Sequence, residues 1–185
     1  MSSSKNEGLG SSIKRAHDSF NKTLKDAGLE DVNELFSINA LLLAIILGAL
    51  FVFYSLSPIT PLSLGLGILI FGLIGLVISF PLVGFVAPIY KKTFNTNAEI
   101  KAALGYQILA LFLAIVLGIL FQSTVILYAG LLAFAILIIV YPALQAINTN
   151  TKVVKDFNKT LKYIDLFLSI AIPILSSLLH IAHLI

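Results

Sequence analysis

The chain has no cysteine, and charged residues make up only 11% of its 185 residues. Without cysteine it cannot form a disulfide, present a thiolate nucleophile or bind a metal through sulfur. A soluble domain carries about 25% charged residues. The low charge, together with 58% hydrophobic residues and a mean hydropathy of +1.02, therefore excludes an ordinary soluble domain.

The few charges are confined to three stretches, 5–34, 91–101 and 152–165. Between them lie uncharged runs of 56 residues and 50 residues, and residues 166–185 are also uncharged. One membrane-spanning helix needs about 20 consecutive apolar residues. Each long run therefore predicts a hairpin of two spans, and the C-terminal run predicts one more.

The predicted fold class is all-α: a polytopic transmembrane helical bundle of four spans in two hairpins, with a fifth C-terminal span. A cytosolic arm, residues 1–38, precedes the transmembrane domain, residues 39–185, and carries an amphipathic helix. The predicted spans are 39–57, 62–90, 102–121, 124–145 and 164–185.

The distribution of lysine and arginine predicts the orientation. Short cytosolic loops carry an excess of these residues, and five alternating spans place all twelve of them on one side. The N-terminus is therefore expected in the cytosol and the C-terminus outside, unless residues 164–185 lie in the interface. The inner cell membrane is the expected location, with an organelle membrane as the alternative.

The second predicted span is rich in glycine and contains two prolines. Small residues let helix backbones approach closely in lipid, while proline kinks a helix. The segment is interpreted as a bent packing helix or, alternatively, as a broken helix that lines a cavity. The residues concerned are Gly65, Gly67, Gly72, Gly75, Gly84, Pro81 and Pro88.

One hexapeptide, Phe-Asn-Lys-Thr-Leu-Lys, occurs at 20–25 and again at 157–162. Each copy lies on an apolar stripe with helical spacing, which predicts two amphipathic helices on the cytosolic side. Such helices either lie in the lipid headgroups or dock on a partner. In the second interpretation, the partner-facing residues are Phe20, Leu24, Phe157 and Leu161.

The predicted spans contain few side chains that could take part in catalysis or ligand binding. An ionisable group inside a span marks a functional site by default, and spans one to four contain none. The polar side chain inside span three is Gln107, which is expected to form a hydrogen bond between helices. His180 and His183 are spaced to bind one metal ion, or they lie at the outer interface as ordinary polar residues. No catalytic residue, cofactor, nucleic-acid partner or small-molecule substrate is predicted.

Two segments carry a family resemblance. Residues 81–88 read PLVGFVAP at the end of an apolar helix, and residues 103–107 read ALGYQ at the start of the next. Over residues 39–152 the chain resembles the family of the small chloroplast inner-envelope translocon subunit, the twenty-kilodalton Tic protein, and its prokaryotic relatives. It departs from that pattern at Gly105, where the family often has Asn, and in lacking a Trp after Pro88.

The resemblance implies a four-helix core that serves in a membrane assembly, which in the chloroplast branch imports proteins. The predicted function is therefore that of a non-enzymatic integral subunit of a membrane complex, with a translocation or assembly role. Two alternatives stay open: a membrane-shaping hairpin protein, and a channel or carrier for a neutral solute. The first draws on residues 84–90, which also resemble the hairpin proteins that curve the endoplasmic reticulum.

Overall fold

The computed structural model describes residues 8–56, 59–94, 96–132 and 134–135, and in the C-terminal part 167, 170–171, 174–179 and 181–182. The regular structure of these residues is helical. Four helices are complete: α1 (Leu9–Asp26), α2 (Asn33–Ser55), α3 (Pro61–Thr93) and α4 (Asn97–Leu120). A 3₁₀ turn, Glu30–Val32, connects α1 to α2.

Three of these helices are long and apolar enough to cross a membrane. At 1.5 Å per residue, α2, α3 and α4 are about 34, 50 and 36 Å long, and the hydrocarbon core of a bilayer is about 30 Å thick. The all-helical class and the first three spans are confirmed as apolar helices of spanning length. Residues 124–132 are helical, as predicted for the start of span four, and most of 136–185 lies outside the described residues.

Glycines set how α2 packs against α3. A Cβ atom added to Gly48 would lie 2.8 Å from the backbone nitrogen of Gly72, and one added to Gly75 would lie 3.1 Å from the Cα of Ala44. A side chain at Gly48 does not fit without a shift of the helices, and one at Gly75 would be tighter than most Cβ contacts. The two backbones therefore approach closely, as predicted from the glycine content of span two. Helix α2 packs against both α3 and α4 and is the most buried of the three.

Helix α3 runs without interruption from Pro61 to Thr93, through Pro81 and Pro88. Its first turn is fixed by Thr60, whose side chain accepts a hydrogen bond from the Ser63 backbone N–H at 3.1 Å. The continuous helix agrees with the interpretation of a packing helix and not with that of a broken one. The two prolines lie in the second half of the helix, toward Lys91.

The charged segments that the structure describes meet at one end of the helices. Asn97, at the start of α4, donates a hydrogen bond to the Asp31 carboxylate at 3.4 Å. At the opposite end, the hydroxyl groups of Tyr128 and Tyr54 lie 3.4 Å apart. The molecule therefore has a charged end and an uncharged end, as alternating spans require.

Candidate functional site

Helix α1 packs its apolar stripe on α3 at the charged end. The side chains of Phe20 and Leu24 are each 1% exposed. The rings of Phe20 and Phe80 have centroids 5.3 Å apart, and a Cβ atom on Gly84 would lie 3.5 Å from the Phe20 ring. Phe20, predicted to face a partner or the headgroups, is therefore covered by α3, and Leu24, for which the same was predicted, is buried within the chain.

The turn after α1 is a Schellman motif that needs glycine. Gly28 has a φ of +67°, in the left-handed region that side chains disfavour. The N–H of Gly28 donates to the Lys25 carbonyl and that of Leu29 to the Leu24 carbonyl, both at 2.9 Å. Leu24 and Leu29 are both buried, as is usual beside this motif. The turn fixes where the chain leaves α1 and enters the 3₁₀ turn and α2.

A groove of about 470 Å³ runs between α1 and the proline-bearing part of α3. Its lining contains no charged side chain, and Phe85 on its rim is 68% exposed. An apolar groove with two prolines supplies neither an acid–base pair nor a metal ligand. The residues that line it are Ser19, Phe20, Thr23, Pro81, Gly84, Phe85, Pro88 and Ile89.

Gln107 lies inside the bundle and forms the hydrogen bond between helices that was predicted for it. The Tyr90 hydroxyl donates to the Gln107 Oε1 atom at 2.5 Å. Both side chains are buried, at 2% and 1% exposure, and Phe36 of α2 packs edge-on against the Tyr90 ring at 5.5 Å. This bond links α3 to α4, which otherwise share few contacts.

Among the described residues, four buried polar side-chain atoms have no hydrogen-bond partner: Asn21 Oδ1, Asn39 Oδ1, Ser79 Oγ and Gln107 Nε2. The last three belong to α2, α3 and α4, and these residues are at most 1% exposed. The Asn39 Nδ2 atom donates to the Leu35 carbonyl at 3.0 Å, which leaves only its oxygen free. Sequence reasoning missed Asn39, because it was assigned to the boundary of a span, and Ser79, because a serine is common in such helices.

Ser79 lies on the face of α3 that packs against α2. Gly75 lies against Ala44, and the two helices run antiparallel. Ser79 shares its face of α3 with Gly75, because helical residues four apart lie on the same side.

The packing of α2 and α4 relates the level of Gln107 to that of Asn39. A Cβ atom on Gly130 would meet the Ala114 Cβ and would lie 3.6 Å from Ile46 Cδ1, so Ala114 and Ile46 share a level. Gln107 lies seven residues before Ala114, and Asn39 lies seven residues before Ile46. Because α2 and α4 run parallel, these two side chains lie within about one helical turn of each other.

The candidate site, which we call the polar layer, consists of Asn39, Tyr90 and Gln107. It offers one free amide donor, one free amide acceptor and a hydroxyl that can act as either. It holds no ionisable acid or base apart from the Tyr90 phenol. Such a set can bind an uncharged polar group but cannot perform acid–base catalysis at neutral pH.

The remaining predicted site residues, Phe157, Leu161, His180 and His183, lie outside the described residues. Within the part of the chain that the structure describes, no three residues of the types His, Cys, Asp and Glu come together as metal ligands. No family model, curated protein or solved structure matches this chain. The resemblance to the translocon subunit family therefore continues to depend on residues 81–88 and 103–107 alone.

Proposed function

We propose that this protein is a non-enzymatic integral subunit of a membrane complex. The observation that carries the proposal is an exposed face of small residues at the charged end of α4, formed by Ala98, Ala102 and Gly105. These residues are spaced four and three apart and so lie along one side of the helix. Small residues on an open helix face are what transmembrane helices use to approach each other closely.

The surroundings of this face support the proposal. No atom of another described helix lies within 4 Å of the position where a Gly105 Cβ would stand. Tyr106 and Leu109 beside it are 47% and 44% exposed, so they offer apolar surface to a second helix. Aromatic and aliphatic side chains that flank a glycine provide the packing contacts which replace the hydrophobic effect in lipid.

A translocation or assembly role is the specific form of this proposal. It derives from the resemblance, whose second segment, Ala103–Gln107, adjoins the small-residue face, although the chain departs from the family pattern at Gly105 itself. On this view the face receives a transmembrane helix of another subunit. The charged end is proposed to lie in the cytosol, because it carries the lysines of the described loops, Lys91, Lys92 and Lys101.

The test compares two glycines that are both exposed and both have open space beside them. Gly105→Leu places a large side chain on the proposed face, whereas Gly65→Leu does the same on the exposed side of α3, where there is also open space. We expect the native protein and Gly65→Leu to co-purify with a partner in mild detergent and Gly105→Leu to lose it. A strictly monomeric native particle, or a partner retained by Gly105→Leu, would contradict the proposal.

A second candidate is a carrier or channel for a neutral solute, favoured by the unpartnered polar atoms of the polar layer. Replacing Gln107 with Leu would remove the free donor while keeping the volume. Solute flux in liposomes that falls in Gln107→Leu but not in Gly105→Leu would favour the carrier over the subunit. The membrane-shaping alternative requires hairpins too shallow to cross, and helices of about 34 to 50 Å do not support it.

A further inference from the structure

The groove between α1 and the proline-bearing part of α3 leaves apolar surface uncovered. It has a volume of about 470 Å³, and the part of α3 that lines it runs from Pro81 to Ile89. Phe85 on its rim is 68% exposed. In a bilayer the acyl chains of lipids, which are as apolar as a leucine side chain, cover a surface of this kind.

The length of α3 places the groove at the boundary between acyl chains and headgroups. The hydrocarbon core of a bilayer is about 30 Å thick, which corresponds to about 20 helical residues. Counted from Pro61, about 20 residues end near Phe80, and the groove begins at the next residue, Pro81. A lipid in the groove can therefore keep a chain on apolar side chains and its headgroup toward Lys91 and Lys92.

The charges at this end of the molecule are unevenly distributed. Helices α1 and α3, which form the groove, carry six basic and two acidic residues, a net charge of +4. The 3₁₀ turn, α2 and α4 carry one basic and four acidic residues, a net charge of −3. Of these acids, Glu99 belongs to α4, and Asp31 lies beside the start of α4, where Asn97 donates to its carboxylate. The groove is therefore formed by the positively charged pair of helices.

Lys92 extends this positive charge to the end of the groove. It lies four residues after Pro88 and seven after Phe85, so the three residues share one face of α3. Lys92 is exposed, and lysine binds phosphate groups as a point charge. On the other wall of the groove, Ser19 of α1 contributes a hydroxyl group that can donate to a phosphate or ester oxygen. An apolar groove that ends at a lysine has the two parts that an anionic phospholipid requires.

We propose that the groove between α1 and α3 binds an anionic phospholipid, with an acyl chain on Phe85 and the headgroup at Lys92. A zwitterionic lipid with the same chains fits the apolar part equally well, but its headgroup carries no net charge. The selection therefore comes from the lysine, and one lysine near anionic lipid favours it about fivefold. The proposal is independent of the small-residue face around Gly105, which belongs to α4.

The test uses the absence of native tryptophan. Phe85→Trp places a single fluorophore on the rim of the groove, at a residue exposed enough to be replaced without disturbing the core. The full chain is reconstituted into vesicles of phosphatidylglycerol and phosphatidylcholine in equal amounts, in which only one of the two lipids carries brominated chains. Bromine quenches a tryptophan that it contacts. We expect phosphatidylglycerol to occupy the position beside this tryptophan about fivefold more often than phosphatidylcholine.

Tyr106→Trp is the matched control, because Tyr106 is 47% exposed and lies on α4, outside the positively charged pair of helices. Tyr106 lies nine residues after the start of α4 and Phe85 eight residues before the end of α3, so the two positions have a similar depth. We expect both brominated lipids to quench Tyr106→Trp equally. Equal quenching at Phe85→Trp, or the same preference at both positions, would overturn the proposal.

A second pair of variants tests the lysine in the Phe85→Trp protein. Lys92→Met removes the charge and keeps an unbranched side chain, whereas Lys101→Met makes the same change on α4. We expect Lys92→Met to remove the fivefold preference and Lys101→Met to leave it unchanged. A preference that persists in Lys92→Met would contradict the site. The co-purification test with Gly105→Leu is unaffected by any of these results, so the two proposals fail separately.

Discussion

At the scale of single residues, the bond between Tyr90 and Gln107 joins two helices that otherwise touch little. How much this hydrogen bond stabilises the protein depends on its surroundings. Both side chains are buried, so each polar atom must find its partner inside the protein or remain unsatisfied. In membrane proteins a bond of this kind stabilises by about 0.6 kcal/mol on average, less than its burial suggests.

A double-mutant cycle of Tyr90→Phe and Gln107→Leu should give a coupling energy of about 0.6 to 1.5 kcal/mol. Tyr90→Phe alone should be the more harmful change, because it leaves the Gln107 oxygen buried without a donor. Unfolding in mixed detergent measures each variant. Tyr54→Phe, at the opposite end, is the control and should be additive with Tyr90→Phe; additivity in the Tyr90–Gln107 cycle itself would refute a direct bond.

At the scale of elements, α1 is held against α3 by a small number of apolar side chains. Helix α1 docks where the Phe20 ring contacts the Phe80 ring and lies against Gly84, which has no side chain. The opposite face of α1 carries exposed charges, including Lys14 and Lys22. The stability of the packing of α1 on α3 therefore depends on very few side chains.

Phe20→Ala should release α1 without unfolding the spans, because removing a buried phenylalanine costs about 3 to 5 kcal/mol. The measurement is limited trypsin digestion in detergent, which should cleave faster at the lysines and the arginine of α1. Phe85→Ala is the matched control, since Phe85 lines the same groove but is 68% exposed. Equal digestion of native protein and Phe20→Ala would contradict the docking.

The contact of α2 with α3 gives a second prediction at this scale. Gly48→Ala places a methyl group 2.8 Å from the Gly72 backbone nitrogen, so the helices must separate. We expect a loss of about 1 to 3 kcal/mol, as for other overpacked sites. Gly65→Ala, which meets open space, should leave the melting temperature unchanged or raise it through the helix propensity of alanine. A Gly48→Ala variant as stable as the native protein would show that the helices are not in close contact.

At the scale of the whole molecule, the separation into a charged and an uncharged end predicts the topology. Single cysteines can replace Lys92, in the last turn of α3 before the loop to α4, and Gln122, just after α4, because both residues are exposed. They can be labelled in sealed vesicles with a membrane-impermeant maleimide. We expect Lys92→Cys to react from the cytosolic side and Gln122→Cys from the other. Labelling of both from one side would mean that α4 does not cross the membrane.

The sequence predicts the helices far better than their contacts. Long apolar runs indicate spans by length alone, so α2, α3 and α4 could be predicted. The start of α2 could not: the helix begins at Asn33 and not at Asn39, because it continues past the hydrophobic run into polar residues. The start of α4 could be predicted, because Thr96 followed by Glu99 is the pattern of a capped helix start. The Thr96 side chain accepts a hydrogen bond from the Glu99 N–H at 3.2 Å.

The site was only partly predictable for a related reason. Gln107 could be identified, because a strongly polar side chain inside an apolar helix must have a partner. Tyr90 could not be matched to it, since the register between two helices is not encoded in the period of either one. The stripe of Phe20 and Leu24 showed that an apolar surface must cover it, but not that α3 supplies that surface.

The docking of α1 on α3 has a consequence for biosynthesis. Phe20 leaves the ribosome 60 residues before Phe80, its ring partner, which at about 5 to 20 residues per second is a delay of several seconds. During that interval the apolar stripe of α1 is complete but its docking surface does not yet exist. A nascent chain arrested before Phe80 should therefore present this stripe to the membrane surface or to a chaperone, and a chain arrested after α3 should not.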